Sequence, residues 1–216
     1  MSHDQIHILQ LHPGAPKQPL EGRLELIPLN DPDLQYEFVA HNCRRSTRTD
    51  NIVVNDVEMT VPGSLGDALR RFRRTDLPRP LWIDVICIDG SSHQPSPKVE
   101  SWSLVMQYRA HVLLVWLGEH HDFGAATFRR FVNTIASLDK MGPRTLEASP
   151  ETLSVLEAPM PTDVEDGCIQ SVVAKKSGSR VVVGETEADY ETTIKALRWM
   201  KSFGHESPSL LADWKI

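Results

Sequence analysis

Two long apolar runs with a helix-like segment between them dominate the hydrophobic pattern of this chain. Residues 81–90 and 112–119 are rich in β-branched residues, and each run meets a glycine beside an acidic residue near its end. Runs of this kind predict buried strands. The segment between them, residues 97–111, has apolar residues at helical spacing, at Val99, Trp102, Met106 and Ala110. Strand, helix and strand in this order predict a parallel βαβ unit with a right-handed crossover.

Shorter patterns predict strands on the N-terminal side of this unit. Residues 6–11 and 23–29 are apolar runs that proline-containing turns separate, and strand-like alternation resumes at residues 36–40. The polar and basic residues 41–50 that follow predict an exposed loop.

A hairpin and a helix are predicted next. Asn55 and Asp56 are two turn formers between β-branched runs, which indicates a hairpin. Ser64 is the predicted N-cap of the helix, with Asp67 reaching back as in a capping box. The predicted buried stripe of this helix consists of Leu65, Ala68, Leu69 and Phe72.

The pattern is less regular in the C-terminal third. Residues 127–141 predict a helix with one apolar face, after which proline, serine, threonine and acidic residues predict a linker or mobile loop at 142–178. Residues 181–183 predict a late strand, and residues 187–203 predict a last helix.

Composition excludes several classes of function. A net charge of −6 and a pI near 5.8 provide no broad basic field for nucleic acid or an anionic membrane. The start of the chain lacks the pattern of a signal peptide, and no apolar run is long enough to span a bilayer. The 3 cysteines are too scattered for a disulfide framework or a zinc site. We therefore expect a cytoplasmic protein.

Several motifs resemble those of the fungal heterokaryon-incompatibility (HET) domain. The two most specific are Leu-Trp-Ile-Asp-Val-Ile-Cys-Ile from Leu81 and Val-Trp-Leu-Gly-Glu from Val115. The opening strands, the hairpin and the first helix match in the same order. We therefore expect a HET-like α/β domain at 6–141, a linker or mobile loop at 142–178, and a strand-and-helix extension at 179–216 that packs on the same domain.

The resemblance implies a TIR-like (flavodoxin-like) fold, which is a parallel sheet flanked by helices. An N-terminal β hairpin or strand addition and a C-terminal helical extension would be added to it. The resemblance also implies a role in triggering cell death after non-self recognition. Related TIR-like proteins cleave the nicotinamide glycosidic bond of NAD with a glutamate. The acidic turn of the family falls on residues 92–96, which contain no carboxylate here, so we predict that the inherited glutamate is absent.

Candidate site residues lie where the parallel strands are predicted to end, because ligands bind at that edge of such sheets. The catalytic candidates are His41, Asp84, Asp89, Glu119 and His120. The candidates for holding a cofactor or ligand are Arg44 and His93. A histidine beside a carboxylate suits acid–base catalysis, although Asp84, inside an apolar run, would also suit a structural role. No pair has the ligand spacing of a zinc enzyme, so no metal site is expected.

Three functions remain open at this point. The first is a signalling or interaction module that works through self-association or a partner. The second is an acid–base enzyme of the lyase, isomerase or cyclase type that acts on a small molecule. The third is an NAD glycohydrolase in which Glu119 or Glu100 replaces the lost acid. The residues expected in the core in all three cases are Cys87, Trp82, Trp102 and Trp116.

Overall fold

The computed structural model of the chain describes residues 5–41, 48–88, 97–118 and 178–193, with the backbone alone for 97–101. The strands are β1 (Gln5–Leu11), β2 (Leu20–Pro28), β3 (Glu37–His41), β4 (Thr49–Val54), β5 (Val57–Pro62), β6 (Arg79–Trp82), β7 (Val112–Trp116), β8 (Arg180–Val183) and β9 (Thr186–Asp189). The helices are α1 (Gly63–Phe72), α2 (Asp84–Cys87) and α3 (Pro97–Arg109), and residues 190–193 form a further helical turn. The predicted helix at 127–141 lies outside the described residues. None of the helices in the described ranges has the length and apolarity needed to cross a membrane.

The described strands form one mixed sheet in the order β5-β4-β2-β1-β6-β3-β7-β8-β9. Its central strands β6, β3, β7 and β8 run parallel to one another. Strand β1 is antiparallel to both of its neighbours, and β4–β5 and β8–β9 are antiparallel hairpins. The α/β class is confirmed, whereas a parallel arrangement holds for only part of the sheet.

Helices α1 and α3 contact opposite faces of this sheet. The Phe72 ring of α1 packs edge-on against Trp116 of β7, with the ring centroids 6.1 Å apart. The Tyr36 hydroxyl, just before β3, donates a hydrogen bond of 2.7 Å to the Met106 carbonyl oxygen in α3. Trp116 is in register with His41, so these two side chains lie on the same face of the sheet. Side chains along a strand alternate between the faces, and Tyr36 and His41 are an odd number of residues apart. Tyr36 therefore lies on the opposite face, with α3.

The prediction of one strand over residues 81–90 is wrong. Strand β6 ends at Trp82, and α2 follows after one extended residue, Ile83. The residues buried around this turn, Ile83, Ile86 and Cys87, have helical spacing, but the apolar residues around them hide that spacing in the sequence. The Asp84 carboxylate accepts a hydrogen bond of 2.8 Å from the Val85 N–H, a local contact that competes with strand pairing.

Helix α1 buries the predicted stripe but begins differently from the prediction. Leu65, Ala68, Leu69 and Phe72 are all buried. Ser64 is not the N-cap, because the helix starts at Gly63 directly after β5, and no side chain caps it. Asp67 forms an ion pair with Arg48.

The hairpin prediction is confirmed, and the start of the last predicted helix is wrong. Asn55 and Asp56 join β4 to β5 with φ values of 51° and 64°, the left-handed conformation that a tight hairpin turn requires. Strand β8 is the predicted late strand. Residues 186–189 alternate between buried and exposed and form β9, and the helical turn begins at Tyr190.

Cys87 is expected to be unreactive in the folded protein. It is buried in α2, and this burial raises the pKa of its thiol to about 12, so almost no thiolate is present at neutral pH. Alkylation by iodoacetamide, followed by peptide mass spectrometry, should modify Cys87 in urea and leave it intact in buffer. Rapid native modification would contradict this placement.

Candidate active site at the carboxyl edge

The carboxyl ends of four parallel strands form one edge of the sheet, which we call the carboxyl edge. His41 is the last residue of β3, the strand between β6 and β7. The sequence predicted an exposed loop at this position, but only 2% of the His41 side chain is accessible. The prediction failed because His41, the first of the polar residues 41–50, is still the last residue of β3.

Asp84 lies beside His41 at the carboxyl edge. It is the first residue of α2, two positions after the end of β6. The distance between His41 Nε2 and Asp84 Oδ1 is 3.5 Å, and 41% of the Asp84 side chain is accessible. Because ordinary N–H···O hydrogen bonds measure about 2.7–3.2 Å, the two groups are adjacent without a direct hydrogen bond. Two of the five catalytic candidates are therefore brought together.

Opposing influences act on the pKa of Asp84, and the net effect lowers it. Partial burial is the largest single influence and raises the pKa, while the His41 imidazole and the Val85 N–H together lower it by more. A carboxyl group with a lowered pKa is ionised at neutral pH. Asp84 is therefore a carboxylate that can orient an imidazole and stabilise its protonated form.

Trp116 is the neighbour of His41 on the other side. It ends β7, pairs with His41 in the register of the two parallel strands, and is 1% exposed. Neither nitrogen of the His41 ring, nor the Trp116 Nε1, has a hydrogen-bond partner. A buried polar group without a partner lowers the stability of the folded state by about 1–3 kcal/mol. Three such atoms on two neighbouring side chains are therefore unusual in a protein core.

The remaining candidates lie outside the described residues. These are Asp89, Glu119, His120, Arg44 and His93. The backbone that leads to Glu119 reaches the carboxyl edge, since the Gly184 N–H after β8 donates to the Gly118 carbonyl oxygen at 2.9 Å. Gly118, two residues after the end of β7, has φ 107°, a conformation that favours glycine.

Other described features do not form a competing site. Within the described ranges, no three His, Cys, Asp or Glu side chains come together as a metal site. A shallow depression of about 190 Å³ lies at the opposite edge of the sheet, beside His12 and Arg73. The Arg73 guanidinium donates to the carbonyl oxygens of Pro19 at 2.7 Å and Gln18 at 2.9 Å and so holds a turn in place, while its Nε is buried without a hydrogen-bond partner.

Sequence reasoning assigned Trp116 to the core alone and missed its polar atom. The signal that could have found it is its place at the end of a predicted parallel strand, where strand termini meet. The pairing of Trp116 with His41 could not be predicted from the sequence, because it depends on β3 lying next to β7.

Comparison with known proteins gives one match. The family model described as "Heterokaryon incompatibility protein (HET)" matches residues 34–200, which is more than half of the 216-residue chain. The matched range includes β3, β6 and β7, and therefore His41, Asp84 and Trp116. No curated protein and no solved structure matches the chain.

Proposed function

The chain belongs to the heterokaryon-incompatibility (HET) family, and we propose that it is a TIR-like module that triggers cell death after non-self recognition. The family match over residues 34–200 is the observation that carries this proposal. The proposed mode of action is self-association or the binding of a partner protein. The absence of a carboxylate from residues 92–96 supports a signalling role over inherited NAD cleavage.

The arrangement of the central strands supports the TIR-like part of the proposal. Strands β6, β3, β7 and β8 run parallel, and helices contact both faces of the sheet. Doubly wound α/β folds share this arrangement, and their ligands bind at the carboxyl ends of the strands. The strands on both sides, which pair in antiparallel fashion except for β2 with β4, would then be additions to a TIR-like centre.

The proposal is tested by inducible expression of the full chain in a filamentous fungus. Viability should fall after induction, and an empty vector provides the control. Size-exclusion chromatography with light scattering should show an average mass that rises with protein concentration. Normal growth at a high soluble level of the protein, together with a monomer at every concentration, would contradict the proposal.

A second candidate function is acid–base catalysis on a small molecule, and the 3.5 Å separation of His41 and Asp84 favours it. In this function Asp84 orients the imidazole, and His41 moves a proton to or from the substrate. An NAD glycohydrolase would need an acid such as Glu119 or Glu100, and both side chains lie outside the described residues. NAD therefore belongs among the compounds tested, as a substrate.

Asp84→Asn is expected to lower such turnover by roughly 10²–10⁴-fold, because an amide cannot stabilise a protonated imidazole. The assay follows a metabolite mixture that contains NAD, with wild type and the variant compared by mass spectrometry. Asp76→Asn is the matched control, since Asp76 is exposed in the loop before β6.

The lowered pKa of Asp84 keeps it charged at neutral pH, so the Asp84-dependent part of the activity should be lost as pH falls through that pKa. Equal turnover by wild type and Asp84→Asn would contradict this function.

A further inference from the structure

Trp116 is a buried tryptophan whose polar atom is not satisfied within the protein. Its indole ring is buried, and its Nε1 has no acceptor in the structure. An indole N–H can only donate, so it is satisfied only when an acceptor atom comes to it. The ring is held in place by the edge-on contact with Phe72, at a centroid distance of 6.1 Å.

His41, the neighbour of Trp116 in the sheet, also has buried polar atoms without a hydrogen-bond partner. His41 and Trp116 are paired in register, so their side chains are on one face of the sheet, on strands about 4.8 Å apart. Both ring nitrogens of His41 are buried and unpartnered. The unmatched atoms are thus a donor from Trp116 and a ring that, when neutral, can donate from one nitrogen and accept at the other.

We propose that Trp116 is a ligand-binding residue of this site, and that its Nε1–H and the His41 imidazole together hold a neutral oxygen atom of a small molecule, a carbonyl or hydroxyl oxygen. This inference rests on the second candidate function and names the class of ligand for it. Neither side chain has a hydrogen-bond partner, although the Asp84 Oδ1 lies 3.5 Å from the imidazole Nε2.

The charge beside the site decides between a neutral and an anionic ligand. Asp84 is ionised, and its Oδ1 lies 3.5 Å from His41 Nε2. An anionic oxygen bound to the same imidazole would approach this carboxylate and be repelled by it. A neutral oxygen avoids the repulsion. The accessible part of Asp84, 41% of the side chain, marks the side from which a ligand can approach.

Two probes of equal size test the proposal by NMR on the ¹⁵N-labelled full chain. Acetamide has a neutral carbonyl oxygen, and acetate is its anionic counterpart. The indole N–H resonance of Trp116 is identified by sequential assignment and by its absence from Trp116→Phe, which keeps an aromatic ring against Phe72. Acetamide should shift this resonance in a saturable way, and acetate should leave it in place.

Two variants complete the test. His41→Leu should weaken the acetamide response of Trp116 by about tenfold or more, because one of the two hydrogen-bonding groups is lost. Trp82→Phe is the control, since Trp82 stacks on Phe38 on the other face of the sheet, with a centroid distance of 5.2 Å. An unmoved Trp116 resonance with both probes, or an equal response to acetate, would overturn the proposal. Because the readout is binding, a chain that kills cells but ignores acetamide would overturn this inference alone and leave the signalling function standing.

Discussion

Gly66→Ala is expected to destabilise the protein by about 2–4 kcal/mol, although the same change in an ordinary helix interior stabilises by about 1 kcal/mol. The reason is the close approach of Asp50 on β4 to helix α1. A Cβ atom on Gly66 would lie 2.7 Å from both the Cβ and the Cγ of Asp50. The Asp50 side chain cannot easily move away from the added methyl group, because Arg70, one turn further along α1, holds its carboxylate by two hydrogen bonds.

The ion pair makes this contact costly to displace. The hydrogen bond from Arg70 is the main reason that the pKa of Asp50 lies below its usual range, so Asp50 is ionised and paired at neutral pH. Moving it away leaves two partly buried charges poorly matched. Urea unfolding, monitored by circular dichroism, measures the loss.

A double-mutant cycle provides the control for this prediction. Asp50→Gly removes both the Cβ and the carboxylate that Gly66→Ala would meet, so the second substitution should cost less in that background than in wild type. Strictly additive effects, or a Gly66→Ala protein as stable as wild type, would show that α1 and β4 are further apart than described.

His41→Leu is expected to separate stability from function. The imidazole is buried with both nitrogens unpartnered, so replacing it with an apolar side chain of similar size removes two unsatisfied polar atoms. The free energy of unfolding should therefore change by less than about 1 kcal/mol or increase. Asp84 loses its neighbour, but its exposed carboxylate can be hydrated instead.

His41→Leu should also lower the acid–base turnover of a small molecule by a large factor. General acid–base catalysis contributes about 10²–10⁴-fold to a rate, and leucine can neither donate nor accept a proton. The control is His12→Ala, because His12 follows β1 at the opposite edge of the sheet and is exposed. A protein in which His41→Leu lowers stability and leaves activity intact would indicate a structural histidine.

The sequence was sufficient for elements whose pattern is local. The stripe of Leu65, Ala68, Leu69 and Phe72 has helical period, and α1 buries it. The turn at Asn55 and Asp56 follows from residues that tolerate a positive φ. The short helix α2 could not be recognised in the same way, because a continuous apolar run is compatible with either a strand or a buried helix.

The strand order and the site depend on contacts between distant parts of the chain. The predicted βαβ unit places β6 and β7 in parallel, but β3 lies between them, and nothing in residues 81–119 indicates this insertion. The insertion is what brings His41 between Asp84 and Trp116. The residue types at the predicted strand ends therefore identified His41 and Asp84 as candidates. That the two side chains are neighbours could be learned only from the tertiary structure.

The most direct test of the functional role of the carboxyl edge is the viability of fungal cells that express wild type, His41→Leu and His12→Ala at equal soluble levels. Wild type and His12→Ala should kill, and cells with His41→Leu should survive although the free energy of unfolding of that protein is higher than that of wild type or lower by less than about 1 kcal/mol. Killing by His41→Leu that equals wild type would contradict a functional role for this edge.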